Sequence, residues 1–329
     1  MTARRVVLVT GAGGFLAPYV AAALAADEWH VRGITRQPDL QSSVAELVVG
    51  DPFDAPTIAA ALRGVDVVVH LAARAHVMND RASDSVGAYQ RVNVDGTALL
   101  LKAAAGAGVR HLVFISSVKV MGEATTTPWR ESDVPRPVDA YGRSKLAAEA
   151  LATAWGAVDG RSATVLRLPL VYGSGMKANM LALFRWIDRG WPLPFAGLEN
   201  RRSLLYAGNA AAAVAVAVRR PVESDATFLL SDGHDLSTPE LIEAIARALG
   251  RPARLVPGAV TLFALADRLA HRFPRVRSIR RLHAAGARLA GSLAVDNSAF
   301  AAATGFTPPC TLAAALDDVA RWYRLRHPR

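Results

Sequence analysis

Tyr141 and Lys145 stand four residues apart in the run "VDAYGRSKLAAEALATAW". A helix over this run puts both side chains on one face. A phenol is a poor proton acceptor near neutrality, with an ordinary pKa of about 10. An ammonium held beside it favours the phenolate and lowers that value. Tyr141 can then take a proton from an alcohol or return one to an alkoxide. Ser117 ends the run "HLVFISS" and offers a hydroxyl to the same substrate oxygen. Read singly, each residue has a plainer account: Tyr141 as a helix-start aromatic, Lys145 as a surface lysine, Ser116 or Ser117 as a turn former.

Such a trio needs a scaffold that brings a strand end to a helix start. The first half of the chain alternates strand and helix patterns. Strands are predicted at 5–10, 30–35, 46–50, 65–73, 110–117 and 163–173, and helices near 14–26, 54–63, 90–107 and 139–156. Short apolar strands without strict alternation are buried on both faces, as in a parallel sheet covered by helices. The class is therefore α/β, a doubly wound parallel sheet, which places ligands at the carboxyl ends of its strands. After residue 173 the rhythm changes: helices at 178–189, 238–249 and 259–270 dominate, with a late strand at 226–232. The expected division is 1–173 for the first domain and 174–329 for a smaller, mostly helical lobe, with segments near 203–232 returning to the first domain.

"VTGAGGFLA" follows the first strand and opens a helix. Gly11, Gly14 and Ala17 are spaced G-x-x-G-x-x-A. Such a turn lets a pyrophosphate approach the backbone, facing the N–H groups of the helix start, here around Phe15 and Leu16. This points to a dinucleotide site (a Rossmann fold), and to hydride transfer coupled to the proton carried by Tyr141. At the end of the second strand, where an acidic residue would hold ribose hydroxyls, stands Arg36, with Arg32 nearby. A cation there suits a 2′-phosphate and favours NADP over NAD; a solvated arginine is the plainer account. Asp51 ends the third strand and could accept from an adenine amino group, while helix capping by Asp51 or Asp54 explains the same residues.

The bulk composition bounds the rest. A chain of 329 residues with 52% hydrophobic and 20% charged residues is an ordinary globular sequence. The single cysteine, Cys310, forms no intrachain disulfide and reads as a small buried hydrophobe. No stretch is a signal peptide, and "AAAAVAVAV" at 210–218 is too short to span a bilayer, so a cytoplasmic protein without stable membrane insertion is expected. The net charge of +10 is concentrated at 247–288, where ten arginines face one acid, Asp267. The absence of a recognised nucleic-acid motif there argues against a nucleic-acid site; a solvated face, an anionic small molecule or lipid head groups remain open. No metal ligand set is assigned.

"TGAGGFLA", "HLAARAH" at 70–76, "NVDGT" at 93–97, "FISSVKVMGE", "YGRSK" and "LRLPLVYGSG" occur in this order. Together they resemble the extended short-chain dehydrogenase/reductases, in the NAD-dependent epimerase/dehydratase branch that acts on nucleotide sugars. The resemblance covers nearly the whole chain. It implies Ser117, Tyr141 and Lys145 as the catalytic triad, Lys145 also binding the nicotinamide ribose, and cofactor contacts from Leu71, Ala72, Ala73 and Asn93. In the second lobe it implies Asn179 and Arg202 on the diphosphate of a UDP-linked sugar and Phe195 beside the uracil. The plainer accounts are a helix cap for Asn179, a solvated Arg202 and a core Phe195. It also implies a homodimer through helices near 90–107 and 139–156, whose pattern packing inside one chain explains equally.

Several positions depart from the family pattern. Leu289, Ala290, Gly291 and Ser292 stand where an arginine and an aspartate often hold the uridine ribose. Leu170 replaces the usual asparagine. Val118 and Lys119 stand where 4,6-dehydratases carry an acid and a base, which disfavours water loss. Two reactions at C4 fit the trio. One is reduction of a UDP-4-keto-6-deoxy-N-acetylhexosamine by NADPH for surface polysaccharide, the reading Arg36 favours. The other is 4-epimerisation of a UDP-sugar with a tightly held NAD. A silent dinucleotide-binding sensor would be expected to lack the tyrosine or the lysine, and this chain has both.

Overall fold

The computed structural model describes residues 5–38, 43–75, 85–220, 226–258 and 291–328. Seven strands form one parallel sheet: β1 (Val6–Thr10), β2 (His30–Thr35), β3 (Glu46–Val49), β4 (Val67–His70), β5 (His111–Ser117), β6 (Ser162–Leu168) and β9 (Ala226–Leu229), in the order β3-β2-β1-β4-β5-β6-β9. The order reverses beside β1, which makes the gap between β1 and β4 the switch point of a doubly wound sheet. In β1, Val7 and Val9 enter one core and Leu8 the other, as the two-residue repeat of a strand requires.

Two helical layers cover the sheet. On one face lie α1 (Ala17–Ala26) and α7 (Ala207–Arg219), packed through Val20, Leu24, Val214 and Val218. The alanines of α7 allow this close approach, and a helix apolar around most of its circumference is one that is buried. On the other face lie α2 (Ala55–Ala61), α4 (Gly96–Gly106) and α5 (Ala140–Gly156), contributing Ile58, Leu100, Leu101, Ala148 and Ala152. A short helix α3 (Ser85–Tyr89) and a π-helical turn over Gln90–Asp95 precede α4.

The second body is built on β7 (Leu170–Tyr172), β8 (Arg202–Tyr206) and β10 (Asp235–Leu236). Its core joins α6 (Ala178–Asp188), α8 (Thr238–Leu249) and the C-terminal helix Leu312–Arg326 through Phe184, Ile245 and Val319. α8 has a capping box, Ser237 with Glu240, and ends on Gly250 in the left-handed region. The strand expected at 163–173 divides at Pro169 into β6 and β7, because proline brings no N–H to the ladder. The first helix starts at Ala17 rather than residue 14, and β4 is shorter than the 65–73 expected. The helix expected at 259–270, together with Leu289 and Ala290, lies outside the described residues. Among the described residues no helix is long and apolar enough to cross a membrane.

Candidate active site

The glycine turn lies at the switch point. Gly11 has φ +71°, and a Cβ there would fall 2.9 Å from both Cα and N of Ala72, so only glycine brings this turn so close to the segment after β4. The amide of Gly14 closes the turn on the Gly11 carbonyl at 2.8 Å. α1 begins with Leu16 at its N-cap and no side-chain cap; the Ala17 amide donates to the Gly14 carbonyl at 3.3 Å and Pro18 brings no N–H, while Gly13 and Gly14 are exposed and Phe15 is half-buried. Between this turn and α2 opens a largely apolar recess lined by Ile34, Phe53, Ala72 and Val92 among others. An exposed glycine turn at a helix start beside an apolar slot fits a dinucleotide, its pyrophosphate at the turn and its adenine in the slot.

At the rim, Asp54 caps α2 through the amide of Thr57 at 3.0 Å, whereas Asp51 accepts from the amide of Phe53 at 3.0 Å in a turn. Leu71 and Ala72 are half-buried and Ala73 is exposed in the segment leaving β4. Arg36 is exposed just past β2. Arg32 is occupied instead by Glu46 at 2.8 Å and by the carbonyls of Ala61 and Arg63.

Ser117 ends β5, and Tyr141 is the second residue of α5. Their hydroxyls are hydrogen-bonded. The Ser117 oxygen accepts from the amide of Lys119 at 3.3 Å, so its own proton is available to Tyr141. α5 can start here because Asp139 caps it through the amide of Gly142 at 2.6 Å. Gly142 is also required: a Cβ there would fall 2.5 Å from the Lys119 carbonyl oxygen. The two chain segments carrying Ser117 and Tyr141 therefore touch at backbone level.

Lys145 is 2% exposed and not a surface lysine. Its Nζ donates to the Ile115 carbonyl at 2.7 Å and lies 4.1 Å from the centre of the Phe114 ring. Burial pushes this amine down to about 7, with the charge of Glu149 opposing. The Tyr141 phenol, expected to be acidified by Lys145, is instead pushed up to about 12 by burial, and the Ser117 hydrogen bond opposes that rise. The physical reason is burial of the phenol, and the Lys145 amine is itself buried against Ile115 and Phe114. Only one of its three donors is used on a protein group among the described residues, which leaves donors for a hydroxyl-bearing ligand.

Asn93 is buried in the π-helical turn, where its side chain holds Arg74 through both backbone groups, at 2.7 and 3.2 Å, and Ser144 Oγ at 2.9 Å. In the second body, Asn179 is exposed in the first turn of α6. It does not cap that helix, whose N-cap is Lys177. Arg202 is not a solvated side chain: it donates to the Gly291 carbonyl at 2.9 Å, and burial lowers its pKa. Phe195, 4% exposed, belongs to the apolar core.

Sequence reasoning missed Asn200, which is buried between Thr238 and Gly291 and holds the 291 segment in place with Arg202. It also missed His70, Thr10, Thr97 and Ser144 as partners of the site. Their one signal is a polar residue closing an apolar run, as in "VVVH".

Comparison with known proteins gives a consistent picture. The model of the NAD dependent epimerase/dehydratase family matches residues 7–230. A UDP-glucose 4-epimerase of Vibrio cholerae is 33% identical over 93% of this chain and 92% of its own length. An N-acetyl-alpha-D-glucosaminyl-diphospho-ditrans,octacis-undecaprenol 4-epimerase of Escherichia coli O157:H7 is 28% identical over 74% of this chain and 72% of its own. The solved structure of MoeE5 in complex with UDP-glucuronic acid and NAD superposes with a TM-score of 0.77 at 26% identity, covering 98% of this chain and 99% of that one.

Proposed function

The chain belongs to the NAD dependent epimerase/dehydratase family, and we propose that it inverts C4 of a UDP-linked hexose with a nicotinamide dinucleotide that it keeps through turnover. One observation carries this: the paired hydroxyls of Ser117 and Tyr141, with Lys145 one turn on, at the strand ends of a chain resembling a UDP-glucose 4-epimerase over nearly its full length. Gly11, Gly14, Phe15 and Leu16 hold the pyrophosphate; Leu71, Ala72, Ala73, Asn93 and Asp51 line the dinucleotide; Lys145 donates to its ribose. Asn179 and Arg202 meet the sugar nucleotide's diphosphate. Residues 1–173 form the dinucleotide domain and 174–329 the sugar-nucleotide lobe, the chain returning to the first at α7 and β9.

When bound, the nicotinamide supplies the hydride acceptor and donor at C4. Tyr141 accepts the proton of the 4-hydroxyl and returns it to the same oxygen when hydride is delivered to the opposite face of C4. Ser117, its lone pair engaged by the Lys119 amide, donates to the same oxygen and fixes its position. Proton and hydride both return to the sugar, so no reductant is consumed. Val118 and Lys119 offer no carboxylate beside Ser117 for water loss.

Reduction of a UDP-4-keto-6-deoxy-N-acetylhexosamine by NADPH is the second reading, favoured by the exposed cation Arg36 beyond β2. The order of the two reverses that drawn from sequence because the relative matched across more than nine-tenths of both chains is an epimerase. Purified protein is incubated with UDP-glucose or UDP-N-acetylglucosamine without added cofactor, and separately with the keto sugar and NADPH. Formation of the C4 epimer in the first arm supports the proposal. Consumption of NADPH in the second, with none in the first, supports the reductase.

A further inference from the structure

We propose that His70 is a positioning residue, held in a single tautomer, that ties the glycine turn to the catalytic helix through one directional hydrogen-bond relay. The direction follows from counting protons. The Thr97 hydroxyl donates to the Asn93 carbonyl at 2.7 Å. Its oxygen therefore accepts from His70 Nε2 at 3.0 Å, which puts the ring proton on Nε2. Nδ1 is then an acceptor and takes the Thr10 hydroxyl proton at 2.7 Å. The Thr10 oxygen in turn accepts from the amide of Ala72 at 3.1 Å. Every donor in the run has one acceptor.

The relay continues on the far side of Asn93. Its amide donates to Ser144 Oγ at 2.9 Å, and Ser144 donates to the Tyr141 carbonyl at 2.8 Å. The extra residue of the π-helical turn offers Asn93 both ways, its carbonyl to Thr97 and its side chain to Ser144. Such turns are frequent at functional sites. One connected path thus runs from Ala72, which backs Gly11, to the backbone of Tyr141.

The ring is closed in. His70 is 5% exposed and packs on Phe114, ring centres 5.6 Å apart, while the Lys145 ammonium lies over the same phenyl. Lys145 is the charged group acting on it. A proton on Nδ1 would turn the Thr10 hydroxyl hydrogen away from its acceptor, next to a second cation. Burial first, and that charge second, hold the imidazole down to about 3.

Two substitutions separate the arms of the relay. His70→Gln keeps an amide N–H near the Nε2 position and so the Thr97 arm. His70→Asn keeps an oxygen near the Nδ1 position and so the Thr10 arm. Three readouts apply: the release rate of bound NAD, the kcat and KM for the UDP-sugar, and the 15N imidazole spectrum of the wild type. The kcat part rests on the function proposed above; the release rate and the spectrum do not.

The relay predicts a crossed pattern. His70→Asn lowers kcat roughly two- to tenfold, the effect of one lost hydrogen bond, with NAD release and KM near wild type. His70→Gln speeds NAD release by a similar factor with kcat near wild type. The wild-type spectrum shows Nε2–H and no titration between pH 5 and 8. Parallel losses in both variants, an Nδ1–H tautomer, or a ring that titrates in that range overturns the proposal. Should neither variant fold, the wild-type spectrum decides. Should the wild type turn over no sugar while the release pattern and spectrum hold, the assigned reaction fails and the relay stands.

Discussion

Lys145 donates through Nζ to the carbonyl of Ile115 at 2.7 Å, which ties α5, one turn past Tyr141, to the strand that ends in Ser117. The bond fixes the spacing of the Ser117 and Tyr141 hydroxyls, and it requires an amine buried in the body of the protein. That burial has a stability signature. The folded-state pKa, about 7, lies below the usual lysine value of 10.5. Between these values the unfolded chain binds the extra proton, so folding stability rises with pH across this window, and the cost of charging the amine is greatest below about 7. Lys145→Met removes this dependence. Thermal melts at pH 7 and pH 9.5 should show the wild type gaining on the variant as pH rises, by roughly 2–4 °C for each kcal/mol. Parallel curves would count against a depressed Lys145.

Tyr141→Phe removes the proposed proton carrier and keeps the ring. Turnover should fall by roughly 10²–10⁴-fold, the usual contribution of a positioned acid–base group. NAD release should be unchanged, since the phenyl still packs beside Tyr89. Steady-state kinetics and dinucleotide retention on the same preparation check both halves.

Ser117→Ala should cost less in kcat, on the order of 10²-fold, because it removes one donor to the reacting oxygen. It should also move Tyr141. The Ser117 hydrogen bond opposes the rise that burial imposes on the phenol, so its loss raises the phenol further. In the pH profile of kcat, the limb that reports phenolate formation should shift to higher pH.

Gly11→Ala tests the glycine turn. The residue sits at φ +71°, and the added methyl would meet the Ala72 backbone at 2.9 Å. Strain of this kind costs about 1–3 kcal/mol. Urea unfolding should lose about that much, and the purified variant should carry no nicotinamide dinucleotide.

The buried pair of Arg167 and Glu149, 2.8 Å apart, supports α5 from β6. Arg167→Met leaves the Glu149 carboxylate buried without its cation and should cost roughly 3–5 kcal/mol in denaturant melts. Replacing both with apolar residues of similar size should restore most of that loss.

What the sequence made legible was local. The glycine turn, the four-residue step from Tyr141 to Lys145 and the strand ending at Ser117 are each contained in a few consecutive residues, and the alternation of strands and helices follows from burial on both faces. Features that depend on distant pairing were not legible. Lys145 reads equally as a surface lysine until Ile115 and Phe114 are placed beside it. The phenol's raised pKa follows from burial, which no spacing reveals. The π-helical turn adds one residue to a pattern that reads as plain helix from 90 to 107. His70, Thr10 and Thr97 are scattered over 88 positions of sequence and meet only at the switch point. Phe195 reads as a nucleobase partner in the motif and packs as core in the fold. Of the arginine-rich stretch, most lies outside the described residues; Arg251, which is described, pairs with Asp188 at 3.2 Å.

The central claim is that hydride and proton both leave and return at one sugar carbon. Protein purified without added cofactor is given UDP-galactose in deuterated buffer, and the UDP-sugars are separated with time. The account predicts conversion to UDP-glucose with no added NAD or NADPH, no change in total reduced nicotinamide, and no deuterium at C4, because the hydride returns from the carrier that took it. No epimer in this assay, or deuterium incorporated at C4, would contradict it.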